Sequence, residues 1–200
     1  MLVRQVVRDI EDDLQSYLSS YVAVSSCARP LLIYILCRPW EEQDTADPMT
    51  LPPGLAAPLA GLAAQLVFLR SALPVTIAVS LYRRIASALA HHIVQRGIIY
   101  RGRGRVSHAT AARFVTEAQA WISTCQAALP REPIRRVEAP WAVLLEACAL
   151  LTLEGEKFRL ASRAVDNDLT YGAAMEELGL AQLARLDARE VVRARMDFVR

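Results

Sequence analysis

Lysine is almost absent from this chain of 200 residues: Lys157 is the single lysine among 23 basic residues, so arginine carries nearly all the positive charge. Asn167 is likewise the only asparagine. With 21 acidic residues the formal net charge is +2, which excludes a strong overall attraction to nucleic acid or to anionic membranes. A GC-rich genome also produces such an arginine bias, so the bias alone assigns no function.

Motifs for catalysis and metal binding are also missing. None of G-x-S-x-G, P-loop or H-E-x-x-H occurs. His91 and His92 are adjacent and would point about 100° apart on a helix, and His108 has no carboxylate or thiol at ligand spacing. We therefore predict no catalytic activity, no cofactor and no metal. No cysteines form a C-x-x-C pair, and their apolar surroundings predict buried, reduced thiols at Cys27, Cys37, Cys125 and Cys148.

The sequence lacks an uninterrupted apolar run long enough to span a membrane, which takes about 20 residues. The best candidate, 55–69, contains Pro58 and Gln65 and is followed by Arg70. The start of the chain, MLVRQVVRDIEDDL, has acidic residues where a secretion signal needs an apolar core. We therefore expect buried helices and a cytoplasmic location.

Helical periodicity is present in nearly every segment, with proline and glycine between the segments. Apolar residues follow i, i+3, i+4, i+7 spacing most clearly after Ser107, which is the predicted N-cap, and a second strong stripe follows Pro140. The fold class predicted is all-α, with at least six helices and no sheet. We expect the two strong stripes to form one core that buries Phe114, Trp121, Ile122, Leu144, Leu145 and Cys148.

The clearest loop is the acidic, proline-rich stretch 41–54, EEQDTADPMTLPPG. It predicts an N-terminal helical hairpin with this loop over 1–54 and a C-terminal helical bundle over 55–200. Within the bundle, helices are expected over 55–73 and 75–100, before the two strong stripes.

Short signals predict the ends of the last helices. Thr170 is placed to cap one helix, and Gly179 is placed to adopt the left-handed conformation behind its C-terminus. Asp187 and Glu190 have the spacing of a capping box for the final helix, with Leu186 as part of a hydrophobic staple.

Arginine is densest in the stretch RGIIYRGRGR. We interpret this stretch as a helix end followed by a glycine-bearing turn, since arginine near a helix C-terminus complements the helix dipole. It predicts a partner-binding surface formed by Arg96, Tyr100, Arg101, Arg103 and Arg105. Two nucleic-acid alternatives stay open: the arginine–glycine alternation is faintly similar to RNA-binding segments, and AAMEELGLAQLARLDAREVV has the spacing of a helix-turn-helix.

Two blocks of the sequence occur in a recognisable order. The first is LPVTIAVSLYRRIASALAHHIVQRGIIYRGRGRVSHATAARFVTEAQAWI. In it the apolar pair Ile98 and Ile99 precedes a short loop, and the helix after the loop opens with the small residue Ala112 and the aromatic Phe114. The second comprises PWAVLLEACALLTL and MEELGLAQLARLDAREVVRARMD. Together, over 73–198, they resemble the C-terminal region of the RINT/TIP family, although Glu117 stands where that family often has aspartate.

The resemblance implies a rod of stacked helical bundles, the CATCHR architecture. It implies a non-catalytic subunit of a tethering complex that captures vesicles returning from the Golgi to the endoplasmic reticulum (ER). The implied partners are other tethering-complex subunits and ER SNARE proteins, with peripheral attachment to the ER membrane through them and no small-molecule substrate. Family proteins are longer than this chain, which would correspond to their C-terminal bundles. The alternative is a helical nucleic-acid-binding or regulatory adaptor protein.

Overall fold

The computed structural model describes residues 51–129 and 136–197. Within these ranges the chain forms seven α-helices and no sheet, which confirms the all-α prediction. No helix there is both long enough and apolar enough to cross a membrane. The helices are α1 (Ala56–Ala72), α2 (Val75–Ile93), α3 (His108–Ala128), α4 (Ala142–Thr152), α5 (Gly155–Ala164), α6 (Asp168–Glu177) and α7 (Arg185–Ala194).

The described residues divide into two compact units. Unit 1 comprises 52–89, 120–129 and 136–140, and unit 2 comprises residue 51 together with 90–119 and 141–197. The predicted N-terminal hairpin lies outside the described residues. The predicted domain boundary after residue 54 therefore stays a prediction.

The core of unit 1 is built from apolar stripes on three helices. On α1, Pro58, Leu62, Leu66 and Leu69 are buried one helical turn apart. The stripe of α2 includes Leu81 and Ile85, and the last turns of α3 contribute Trp121, Ile122 and Cys125. The hydroxyl of buried Tyr82 donates a hydrogen bond to the carbonyl of Val137, so this phenol keeps a partner away from water.

In unit 2, Phe114, Leu144 and Cys148 are buried as predicted, but Leu145 is partly exposed. Leu145 lies about 100° around α4 from Leu144, at the edge of the buried stripe. The six residues expected in one core are divided between the two units, because Trp121 and Ile122 belong to unit 1. Burial raises the pKa of the Cys148 thiol to about 12, with the negative charge of Glu117 as the second cause.

The helix expected over 75–100 changes its geometry in the last turns. After α2 the chain continues as a π-helical turn over Val94–Ile98 and a 3-10 turn over Ile99–Arg101. Gly97 lies within this segment, and a Cβ atom on it would be only 3.3 Å from Cε1 of Phe114. Glycine therefore allows the Phe114 ring to approach the helix backbone closely.

Two of the predicted helix-end signals are confirmed. Ser107 caps α3, because its hydroxyl oxygen accepts from the Thr110 amide at 3.1 Å. Gly179 has a φ of 73°, and the amide of Leu180 bonds back to the Met175 carbonyl at 2.8 Å, as expected for a glycine behind a helix end.

The other two signals were wrong. Asn167, not Thr170, caps α6, with its side-chain oxygen accepting from the Leu169 amide at 3.0 Å. The helix α7 begins at Arg185, so Asp187 lies inside its first turn and accepts instead from the Gln95 side-chain amide at 2.9 Å. Leu186 is 64% exposed, which leaves no buried contact for a hydrophobic staple.

Candidate partner-binding surface

The arginine–glycine turn, which we define as residues 101–105, is held against the C-terminal end of α7 by its backbone. The amide of Gly104 donates to the Arg193 carbonyl at 3.0 Å, and the amide of Arg105 donates to the Ala194 carbonyl at 2.8 Å. Gly102 and Gly104 have φ values of 84° and 67°, which glycine adopts without a steric penalty. These backbone amides therefore fix the path of the turn against α7.

The turn leads directly into a short extended pairing. The amide of Val106 donates to the Ala194 carbonyl at 2.9 Å, and the amide of Met196 donates to the Val106 carbonyl at 3.0 Å. These two bonds form an isolated parallel bridge between Val106 and Arg195. The arginine–glycine turn and the end of α7 are therefore connected over four backbone hydrogen bonds.

Four of the five predicted surface residues are exposed. Tyr100 is 68% exposed, and the guanidinium carbon of Arg96 lies 4.8 Å from the centre of its ring. Arg103 and Arg105 are exposed in the turn itself. Arg101 differs, because it is only half-exposed and its guanidinium lies 5.5 Å from the ring centre of the buried Phe114. Arg101 therefore helps to pack the turn onto α3.

The C-terminal end of α7 is bound to α4 through Arg195, a residue that sequence reasoning did not single out. Its buried guanidinium donates to the carbonyls of Leu150 and Leu153, at the end of α4 where carbonyls lack helical partners. It also donates to the Asp197 carboxylate at 2.8 Å and stacks 3.8 Å from the ring centre of Phe158. The hydrogen bond from Arg195 is the largest cause of a lowered pKa at Asp197.

The segment immediately before α7 is bound to α4 through Glu146. One carboxylate oxygen accepts from the amides of Ala181 and Gln182, at 2.8 and 2.9 Å. The other accepts from Gln182 and Leu183, at 2.8 and 2.7 Å. Sequence reasoning missed this residue, although a signal was present: Glu146 is the only charged residue between Pro140 and Leu153. A single carboxylate in an otherwise apolar helix predicts a specific hydrogen-bonding partner, because a charge removed from water is costly unless it is paired.

We expect Glu146→Gln to lower the free energy of unfolding by about 2 kcal/mol, because hydrogen bonds to a charged group are stronger than neutral ones. The glutamine NH₂ group would also point a donor at donor amides. Chemical denaturation followed by circular dichroism measures the change. Glu177→Gln on the exposed face of α6 is the matched control and should stay within about 0.5 kcal/mol of the wild type. An equal loss in both variants would contradict a specific role for Glu146.

The arginines of α7 are bound by carboxylates of the chain itself. Asp166 pairs with Arg189 at 3.0 Å and with Arg193 at 3.1 Å, and Arg193 is buried. Arg185 pairs with Asp168. In the helix-turn-helix alternative these side chains would face the phosphates of DNA. Their internal ion pairs weigh against that reading.

A cavity of about 130 Å³ lies beside the bridge, between Val106, Ser107 and Arg195. At its edge His108 pairs with Glu154 at 3.2 Å, and both side chains are largely exposed. Among residues 51–129 and 136–197, no three histidine, cysteine, aspartate or glutamate side chains lie close enough to hold a metal ion together. Of the polar side chains that line the cavity, Arg195 and Asp197 bond with each other, and Ser107 and His108 bond to Thr110 and Glu154 nearby.

These features describe an all-α protein that presents arginine and tyrosine side chains from a turn fixed by its backbone. The chain belongs to the RINT-1/TIP-1 family, whose family model matches residues 1–195. Proteins of this family are subunits of tethering complexes, so the chain belongs to that class and takes part in a multi-subunit assembly. The match begins at residue 1 and so covers more of the chain than the predicted 73–198. No match was found among curated proteins or among solved structures.

Proposed function

We propose that this chain is a non-catalytic docking subunit of a tethering complex for retrograde vesicle transport from the Golgi to the ER. Its partners are the other subunits of the complex and the cytoplasmic parts of ER SNARE proteins. It is cytoplasmic and attaches to the ER membrane peripherally, through these partners. Family membership supports the tethering role, and the arginine–glycine turn supports the docking role.

The docking role is supported mainly by the backbone hydrogen bonds that hold the arginine–glycine turn in place. Its amides bond to α7, and the residues on either side of α7 are bound to α4, by Glu146 before the helix and through Arg195 after it. Arg103 and Arg105 therefore extend from a backbone that is already ordered. A partner then does not have to order this backbone when it binds, which removes part of the entropic cost of association.

The exposed side chains of the surface favour an acidic partner. Arginine has a planar guanidinium with five donors that matches a carboxylate, and it is weakly hydrated. Arg96 and Arg103 provide charge, while Tyr100 offers a flat apolar ring that carries a hydrogen-bonding hydroxyl. Charges of this kind at the edge of an interface raise the association rate more than they raise the final affinity.

We expect the double variant Arg103→Ser/Arg105→Ser to slow association with ER SNARE cytoplasmic domains by roughly tenfold at low salt, and by less at high salt, because salt screens the steering. Stopped-flow or surface-plasmon measurements at two ionic strengths give both rates. The circular dichroism spectrum should stay unchanged, since both side chains are exposed. Arg101 is left intact because it packs on Phe114.

The matched control is Arg159→Ser/Arg163→Ser on α5, which removes the same charge from another exposed surface. Equal slowing by the control would assign the effect to net charge and contradict a docking surface at the turn. Single-stranded RNA is the second probe. If the wild type binds RNA with steep salt dependence and the turn variant abolishes this binding, the protein is a nucleic-acid-binding adaptor and the tethering proposal is wrong.

A further inference from the structure

The helix α1 of unit 1 is apolar on both of its sides. One side is buried through Pro58, Leu62, Leu66 and Leu69. The opposite side is exposed and consists of Ala57, Ala60, Ala64, Val67, Phe68 and Ser71. A helix that is apolar all round is normally buried on all sides. We therefore expect another protein surface to pack against the exposed side of α1. We call this exposed side the α1 face.

The α1 face holds no group that would resist burial. Its single hydroxyl, on Ser71, donates to the carbonyl of Phe68 at 2.9 Å, within the same helix. The only charged residue in α1 is Arg70, which follows the two large apolar residues near the C-terminal end. Val67 is 52% and Phe68 is 61% exposed, so covering them would remove substantial apolar surface from water.

The size of the side chains also changes along the α1 face. Small residues occupy its N-terminal half, at Ala57 and Ala60, with the half-buried Gly61 at its edge, and both of its large residues, Val67 and Phe68, lie in the C-terminal half before Ser71. Such a gradient is complementary to itself when two copies pair in opposite directions. With a two-fold axis at Ala64, position i of one copy lies opposite position 128 − i of the other. Phe68 then faces Ala60, and Val67 faces Gly61.

We infer that the α1 face binds a second copy of this chain as an antiparallel helix pair. In this arrangement both large side chains of the face meet small residues, as knobs enter holes between packed helices, and the remaining facing positions are small on both copies. A two-fold axis requires this kind of self-complementarity, because each patch must fit its own copy. A parallel pair would instead place Phe68 against Phe68.

Charge selects the same orientation. In the antiparallel pair the two Arg70 side chains lie at opposite ends, separated by about 18 Å along the axis at 1.5 Å per residue. In a parallel pair they would lie side by side and repel each other. One helix pair buries less surface than a permanent dimer needs, so we expect a dissociation constant on the order of 10 µM.

The test uses the full chain in sedimentation-velocity runs from about 1 to 100 µM, a range that brackets weak dimers. Dimers should form with rising concentration, and Phe68→Ser should weaken them at least about tenfold, as loss of a central aromatic contact does. Ala60→Leu should weaken them as well, because leucine fills the space that Phe68 of the other copy needs. Leu169→Ser on α6 is the matched control: Leu169 is 93% exposed, and its loss should leave the dimer unchanged.

Cysteine cross-linking gives the orientation. Under mild oxidation Ala64→Cys should form a disulfide-linked dimer above the wild-type background, because residue 64 lies at the axis, whereas Phe68→Cys should not. Cross-linking at both positions would indicate a parallel pair, in which each residue faces its own copy, and would overturn the inference. A stronger dimer in Ala60→Leu would also overturn the inference, because it would show nonspecific apolar association without the proposed fit of side chains. A wild type that stays monomeric at 100 µM would also overturn it, and protection of Phe68 from hydroxyl-radical labelling would then assign the cover to residues 1–50.

Discussion

Replacing Trp121 with alanine is expected to lower the free energy of unfolding by about 3–5 kcal/mol, the usual cost of truncating a buried aromatic residue. Trp121 is 2% exposed and lies in the third helix, α3, where it contributes to the core of unit 1. Alanine removes the whole ring system and leaves a cavity that the neighbouring helices can close only in part. Guanidinium denaturation followed by circular dichroism measures the loss without depending on the tryptophan signal.

Two further variants make this result specific. Val115→Ala lies on the same helix at an exposed position and should change stability by no more than about 0.5 kcal/mol. Trp121→Phe keeps most of the apolar volume and should lose less than Trp121→Ala, which gives a measurable comparison if the alanine variant does not fold. A loss in Trp121→Ala no larger than that in Val115→Ala would contradict the buried position.

Replacing Arg195 with glutamine is expected to cost about 3 kcal/mol, because removal of a buried charged donor leaves its partners without a bond. The carbonyls of Leu150 and Leu153 would lose their donor, and the ring of Phe158 would lose the stacked guanidinium. Arg195→Lys should recover only part of the loss, since an ammonium group cannot bond two carbonyls and a carboxylate in one plane. Thermal and chemical unfolding measure both variants.

A second readout separates this role from general destabilisation. The amides of Gly104 and Arg105 bond to the last carbonyls of α7. If Arg195→Gln loosens the end of α7, hydrogen exchange at these two amides should become faster by more than exchange at the amides of α5. Arg159→Gln is the control, because Arg159 makes only an exposed ion pair with Glu156, and such pairs contribute about 0–1 kcal/mol. Uniformly faster exchange across unit 2 in Arg195→Gln would contradict the anchoring role.

The sequence predicted well those features that depend on neighbouring residues. The apolar periodicity placed the helices after Ser107 and Pro140, and the caps at Ser107 and Gly179 are confirmed. Helix periodicity and these caps involve residues within about four or five positions of each other, so their signals can be read from a short window. The position of the arginine–glycine turn was predictable for the same reason.

Partners that are distant along the chain decided the rest. The local spacing at Asp187 matched a capping box. The amides before α7 are instead bound by Glu146, which lies 35 residues from Ala181 and 37 from Leu183 along the chain. The sequence placed Arg101 among the exposed arginines, whereas in the structure it packs on the Phe114 ring of α3.

The sequence by itself therefore determined the helical class of this protein and the site of its basic turn, because both follow from local periodicity and backbone preference. Only the tertiary structure decided which charged residues are anchors and which are exposed. A buried charge is stable only where partners meet it in space, and for Glu146 and Arg195 most of those partners are 35 to 45 residues away along the chain.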